Sequence, residues 1–295
     1  MRILNYGSLN LDYVYKVDHI VQAGETISSS GMDIYCGGKG LNQSISLARA
    51  GSRVCHAGMI GSDGAPLLEV LRENGVETES VREVGERTGN AIIQVSANGQ
   101  NSIVLFGGAN QENRKEYIDE ALSRFGTRDL LLLQNEVNLL DYTIEKGAEK
   151  GMYIALNPSP FDEKIGRCDL SKVSLLLINE VEGEQMTSLR EPMEILVSLR
   201  EKYPVMDVVL TLGRNGALYS HGAGIAAHPI FDVPVVDTTA AGDAFTGYFI
   251  TAINEGQSPG EALRLASVAS SLAVSRSGAA VSIPWRDEVD RAELS

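Results

Sequence analysis

Four short runs constrain the architecture more than any motif does. Residues 130–133, 153–156, 173–178 and 208–212 are apolar apart from Ser174 and Thr211, so each predicts a strand buried on both faces. Each run stops abruptly. The first gives way to Gln134, Asn135 and Glu136, the second to Asn157-Pro158, the third to Asn179 and Glu182, and the fourth to Gly213-Arg214-Asn215-Gly216. Two further strands are expected at 3–6 and 54–60, and helical periods at 43–50, 66–74, 114–125 and 259–276. Doubly buried strands alternating with helices specify an α/β fold with a mostly parallel central sheet covered on both sides. Ligands of such sheets bind beyond the carboxyl ends of the strands. Polar residues gather at those ends: Asn10, Asp12, Glu136, Asn179, Glu182, Asn215 and Asp243. Any one of them could be a cap or an Asx turn; seven at one edge argue for a site.

Two stretches depart from this pattern. Residues 13–35 are loosely alternating and polar. Residues 91–96 and 102–106 are strand-like and joined by Asn98-Gly99, a hairpin signal. Together they predict a small second sheet, a lid inserted at about 12–37 and 89–107. No linker, repeat or low-complexity tract breaks the rest, so 1–295 is expected to be one domain. The net charge of −14 disfavours nucleic acid and anionic membranes as partners, and an anionic substrate would need a local positive site. Three cysteines, far apart and odd in number, point to reduced thiols and a cytoplasmic protein. The first 17 residues carry Asp12 and lack a signal-peptide core, and no apolar run approaches a membrane span. The four histidines lack zinc-like spacing.

Two small-residue turns remain. Gly37-Gly38-Lys39-Gly40-Leu41-Asn42 runs into a helix that Gly51 ends. Its glycines permit close approach to a ligand, or serve only the turn. It is not a P-loop, because Gly40 follows the lysine. No G-x-G-x-x-G follows the first strand, so a dinucleotide fold is not indicated. The second turn, Thr239-Ala240-Ala241-Gly242, lies between an extended-looking 231–236 and a helical period at 244–254. Small side chains at a helix start leave amide donors bare for an anion. Asp243, in the first turn, either complements the helix dipole or deprotonates a hydroxyl beside a bound phosphate.

The two stretches Gly37-Gly38-Lys39-Gly40-Leu41-Asn42-Gln43 and Asp237-Thr238-Thr239-Ala240-Ala241-Gly242-Asp243 resemble the paired signatures of the ribokinase-type (phosphofructokinase-B-like) carbohydrate kinases. Residues 7–12, 24–26, 107–110, 179–182, 211–213 and 282–284 follow in that family's order, so the likeness covers nearly the whole chain. The resemblance implies a ribokinase-like fold and a catalytic base at Asp243. It implies an anion hole at Ala240, Ala241 and Gly242. Sugar contacts would fall at Asn10, Asp12, Gly38, Lys39, Asn42 and Glu136. The ATP turn would comprise Thr211, Gly213, Asn215 and Gly216, with Asn179 near the phosphates. Ser267 stands near the adenine, where the family tends to carry Asn. Glu182 would place Mg2+ indirectly. Asp237, Thr239 and Ser282, with the carbonyls of Ala273, Arg276 and Gly278, would hold a monovalent cation, usually potassium.

The activity so implied is transfer of the γ-phosphate of ATP to a primary hydroxyl of a small sugar, D-ribose first. Deoxyribose, fructose, a 2-keto-3-deoxy acid or a nucleoside are the alternatives within the class. A sugar-binding regulator without catalysis is the alternative outside it; that reading predicts a missing base or a broken anion hole, and both are present. Family members often dimerise through lid strands, so a homodimer is expected.

Overall fold

The computed structural model describes residues 1–222 and 224–294. In chain order it begins with strands β1 (Ile3–Tyr6), β2 (Asn10–Val17) and β3 (Gly31–Gly37), then helix α1 (Lys39–Arg49). Next come β4 (Val54–Ile60), α2 (Ala65–Glu73), β5 (Glu77–Glu83), β6 (Gly89–Ser96) and β7 (Asn101–Phe106). The middle of the chain carries α3 (Lys115–Leu122), β8 (Leu130–Gln134), α4 (Leu140–Glu149), β9 (Tyr153–Asn157) and β10 (Leu175–Asn179). It continues with α5 (Glu180–Thr187), α6 (Pro192–Lys202), β11 (Asp207–Thr211), β12 (Ala217–His221) and β13 (Gly224–His228). The last elements are α7 (Ala241–Asn254), α8 (Pro259–Val274) and α9 (Arg286–Arg291).

Nine strands form one sheet in the order β13-β12-β11-β10-β9-β8-β1-β4-β5, parallel except for β12 and β13 at one edge. Side chains alternate across it. Leu130, Leu132, Leu175, Leu177 and Val209 face one core, under α1, α2, α7 and α8. Leu131, Leu133, Leu176, Ile178, Val208 and Leu210 face the other, under α3, α4 and α6. Burial on both sides is what the apolar runs require. The chain builds outward from β1 twice, first through β4 and β5, then through β8 to β11. The strand order therefore reverses at β1, where a crevice opens beyond the carboxyl ends.

The second sheet has the order β3-β2-β6-β7. Its connections to the large sheet run through Gly7, Gly37-Gly38, Gly89 and Gly107-Gly108. These crossings are crowded. A Cβ on Gly89 would lie 2.1 Å from Asn110 Nδ2 and 2.5 Å from Asn10 Oδ1; one on Gly37 would lie 2.0 Å from Asp12 Oδ2.

Several sequence expectations need correction. Residues 231–236 form no strand; β13 ends at His228, and the N–H groups of Val236 and Asp237 instead donate to the Val274 carbonyl at 2.8 and 3.1 Å. The third apolar run begins its strand at Leu175, not 173, because the Val173 N–H closes a turn onto Leu170 O. Strands β5, β12 and β13 and helices α4, α5, α6 and α9 carry no sequence expectation. Strands β5 and β13 are the two edges of the sheet and β12 lies beside β13; half-exposed positions there blur the apolar pattern.

Candidate active site

The crevice is a cavity of about 750 Å3 roofed by the small sheet. Six of the seven strand-end polar residues line it: Asn10, Asp12, Glu136, Asn179, Glu182 and Asp243. Asn215 does not; it sits in a turn beyond β11. Gly38, Lys39, Asn42, Thr211, Asp237, Thr239, Ala240, Gly242 and Gly278 also line the wall. Of the other residues singled out from sequence, Ala241, Gly213, Gly216, Ser267, Ala273, Arg276 and Ser282 stand off it. Ser267 is buried on α8. Gly213 and Gly216 shape the turn after β11 with φ of 51° and 88°. At Gly216 a Cβ would meet His228 O at 2.1 Å.

Helix α7 opens on Ala240, which caps it in the left-handed conformation (φ 60°) with no side-chain hydrogen bond. An alanine there is strained and contributes nothing but its smallness. The Ala241 N–H turns back to Thr238 O at 3.3 Å. The N–H groups of Gly242 and Asp243 find no acceptor among the described residues, and a Cβ on Gly242 would meet nothing within 4 Å. The helix start therefore presents open donors to an anion in the cavity.

Asp243 is buried at the first turn of α7. Its Oδ2 accepts from Asn42 Nδ2 at 3.0 Å and its Oδ1 from Gln43 Nε2 at 2.9 Å. The carbonyl oxygen of Asn42 is buried and has no partner among the described residues, although Asn42 lines the cavity. A buried acceptor left free in a ligand cavity suits a hydroxyl donor.

Glu136 follows β8. Its Oε2 accepts from the Ser8 hydroxyl and, at 3.0 Å, from the Lys39 N–H. Of the Gln134-Asn135-Glu136 run, only Glu136 lines the cavity. Asn135 turns away to Pro160 O and Asp162, and Gln134 enters the core. Lys39 stands among carboxylates. Burial pulls its pKa down, but Asp243, Glu136 and Glu182 together outweigh burial and hold it above the ordinary lysine value. Burial pushes Glu136 up against the opposing pull of Lys39. Asp12 points into the cavity from β2, and burial, helped by Glu136, raises it from 3.8 to about 7. Asn10 is fixed by Asn110, whose Nδ2 donates to Asn10 Oδ1 at 2.7 Å.

Asn179 and Glu182 form a capping box on α5. Asn179 Oδ1 accepts from Glu182 N–H at 2.9 Å, and Glu182 Oε2 accepts from Asn179 N–H at 3.0 Å. The structural reading and the wall of the cavity coincide in this pair. Asp237 bridges two segments: its oxygens accept from the N–H groups of Thr239 (2.9 Å) and Gly278 (3.0 Å). Burial pushes its carboxyl up, yet these hydrogen bonds win and hold it below the usual carboxylate range.

The raised Asp12 makes a measurable prediction. Its unfolded value is near 3.8 and its folded value near 7. Between those values the folded chain binds the extra proton, so stability falls as pH rises from 4 to 7. From pH 5 to pH 8 the loss is on the order of 2 kcal/mol. Asp12→Asn should remove this part of the slope, so the variant gains stability over the parent at pH 8 and little at pH 5. Parallel thermal melts at the two pH values check this; equal shifts at both would refute it.

The residues that sequence reasoning passed over are Ser8, Gln43, Asn110 and Gln134. Ser8, Gln43 and Asn110 lie inside stretches already quoted, and Gln134 lies at the strand end that carries Glu136. Only the spatial pairing across the chain shows what they hold.

Comparison with known proteins gives one consistent result. The family model for pfkB family carbohydrate kinases matches residues 2–286. A ribokinase of Haemophilus influenzae is 33% identical over 291 residues, covering 96% of this chain and 95% of that protein. The solved ribokinase of Thermotoga maritima superposes with a TM-score of 0.87 at 34% identity, covering 98% of each chain. The Arabidopsis thaliana ribokinase complexed with ribose and ATP superposes with a TM-score of 0.85 at 29% identity, covering 98% of this chain and 97% of that one.

Proposed function

The chain belongs to the pfkB family of carbohydrate kinases, and from that membership we propose that it is an ATP-dependent ribose kinase acting at the crevice beyond β1 and β8. It is a phosphotransferase with a sugar hydroxyl as acceptor and ATP as co-substrate. One observation carries the assignment of the site. A buried carboxylate, Asp243, lies at a helix start with open amides, in one cavity with Asn10, Asp12, Lys39, Asn42 and Glu136.

Asp243 accepts the proton of the sugar CH2OH as its oxygen attacks the γ-phosphorus. The bond to the β-phosphate oxygen breaks and ADP leaves. The donors at Ala240, Ala241 and Gly242 form the anion hole; the Gly242 N–H has no acceptor among the described residues. Fixed donors of this kind contribute roughly 10²–10³ in rate each. Asn10, Asp12, Gly38, Lys39, Asn42 and Glu136 hold the sugar, the free Asn42 carbonyl taking one hydroxyl. Thr211, Gly213, Asn215, Gly216, Ser267 and Asn179 lie on the nucleotide side.

Glu182 would help to place a magnesium ion indirectly, and that ion would supply charge neutralisation at the phosphates. Asp237, Thr239 and Ser282, with the carbonyls of Ala273, Arg276 and Gly278, would hold potassium. An all-oxygen set around an ionised carboxylate suits a hard cation. Asp237 already ties the loop that forms the anion hole to Gly278, so a cation there would buttress it.

The single kinase domain 1–295 uses the small sheet, from 12–37 and 89–107, as its lid. Strand β7 lies at the edge of that sheet and exposes Ile103, Val104, Leu105 and Phe106 by half or more. An exposed apolar edge strand of this kind favours pairing, which supports a homodimer through the lid. Three free cysteines support a reducing, cytoplasmic setting; among the described residues no helix is long and apolar enough to cross a membrane.

The test is coupled ADP release over ribose, deoxyribose, fructose, 2-keto-3-deoxy acids and nucleosides, with and without K+. Ribose should give the highest kcat/KM, and K+ should raise it. Absence of turnover with every acceptor would end the kinase reading; a preference for another acceptor would replace ribose alone.

A further inference from the structure

Behind Asp243 lies a buried chain of amides that the reaction itself does not use. Gln43 Nε2 donates to Asp243 Oδ1, and Gln43 Oε1 accepts from Gln134 Nε2 at 2.7 Å. The second N–H of Gln134 donates to Asn5 Oδ1 at 2.9 Å. Asn5 Nδ2 donates to Gly40 O and to Ser44 Oγ, both at 2.8 Å. Ser44 lies 2.8 Å from His56 Nδ1. Asn5, Gln43, Ser44, His56 and Gln134 are all fully buried.

The donor directions are fixed. Asn5 Nδ2 faces the backbone carbonyl of Gly40, which sets the Asn5 amide and so leaves Gln134 one sensible orientation, with its NH2 toward Asn5 Oδ1. That fixes the Gln43 amide, which can then meet Asp243 only with its N–H end. Burial lowers the His56 pKa to about 4, so the ring is neutral and its Nδ1 can accept a hydrogen bond from the Ser44 hydroxyl. Asn42 is different. It has no such backing, and its own carbonyl is free.

We infer that Gln43, locked by Gln134, is the positioning residue that fixes the rotation of the Asp243 carboxylate, leaving Asn42 free to adjust to the sugar. This rests on the kinase reading above. The carboxylate needs such a hold because Glu136 and Lys39 pull on it from opposite signs of charge. Misplacing a reacting group by about 1 Å costs roughly 10²-fold in rate. The two glutamines come from different elements, α1 and the end of β8, so the orientation of the base depends on the seam between them.

The test is a double-mutant cycle on the full chain with Gln43→Met and Gln134→Met, after turnover of the parent with ribose is established. Gln43→Met should lower kcat by roughly 10–100-fold, with both KM values within about threefold. Gln134→Met should lower kcat less. The double variant should be no slower than Gln43→Met, because Gln134 acts through Gln43. A purely structural contribution would make the two losses multiply, and that result overturns the inference. So does a Gln134→Met enzyme with parental kcat. Gln134→His keeps an N–H toward the same acceptors and covers the case where Met does not fold. It should stay within about tenfold of the parent at unchanged KM. A larger fall with a cooperative melt counts against the inference. An inactive parent would overturn the kinase reading and this inference together; an active parent with multiplicative losses overturns this inference alone.

Discussion

Asp243→Asn should lower kcat by about 10²–10⁴-fold while the KM for sugar stays within a few-fold. The substitution keeps size and removes the ability to take a proton. Its structural cost is set by the two donors that Asp243 accepts, from Asn42 and Gln43. An amide at 243 must turn its NH2 toward one of them. Gln43 cannot reverse, because Gln134 holds its carbonyl. Asn42 can, because its Oδ1 is unengaged among the described residues. The variant therefore swaps one hydrogen bond for another, and its stability should change by no more than about 1 kcal/mol. Steady-state kinetics with a melt on the same preparation decide the matter. Parental turnover would mean that another group takes the proton.

Lys39→Met is expected to have the largest effect on stability. Lys39 lies close enough to Asp243, Glu136 and Glu182 for all three to raise its pKa. Removing one member of a buried charge cluster costs about 3–5 kcal/mol when the others stay ionised. The cavity admits solvent, so about 3 kcal/mol at pH 8 is the expectation, a fall in melting temperature of roughly 5–10 °C. The sign of the pH effect follows from Glu136. Burial already raises its pKa, and loss of Lys39 raises it further. The penalty is then absent below the unfolded carboxylate value and grows as pH rises through the raised one. The deficit against the parent should shrink toward pH 5. An equal deficit at both pH values would show that Lys39 contributes packing and not charge. Sugar affinity should fall as well, because the carboxylates left behind repel one another and take up protons.

The sequence shows the fold best where burial is double. Strands β8 to β11 appear as dense apolar runs, because a strand covered on both faces has no polar alternation to dilute it. Strands β12 and β13 do not, because Ile225 and His221 face solvent and the pattern fades. The same contrast holds in the site. Asp243, Lys39 and Asn42 were legible because a turn of small residues marks each helix start. Gln43 and Gln134 lie in stretches quoted from the sequence but without a role, since nothing local tells which distant group an amide holds. Their partnership spans 91 positions of the chain. Asn179 and Glu182 were legible for two reasons at once, since the spacing that makes a capping box also brings both side chains to the cavity wall.

The glycine crossings between the two sheets bear on grafting. Where a Cβ on Gly37 or Gly89 would strike Asp12, Asn10 or Asn110, the joint and the recognition groups occupy the same few ångströms. A foreign roof transplanted at these borders would have to bring its own bare junctions and matching polar partners. Exchanging lids between relatives is thus an exchange of selectivity, and trimming the roof alone would unseat the residues that read the substrate.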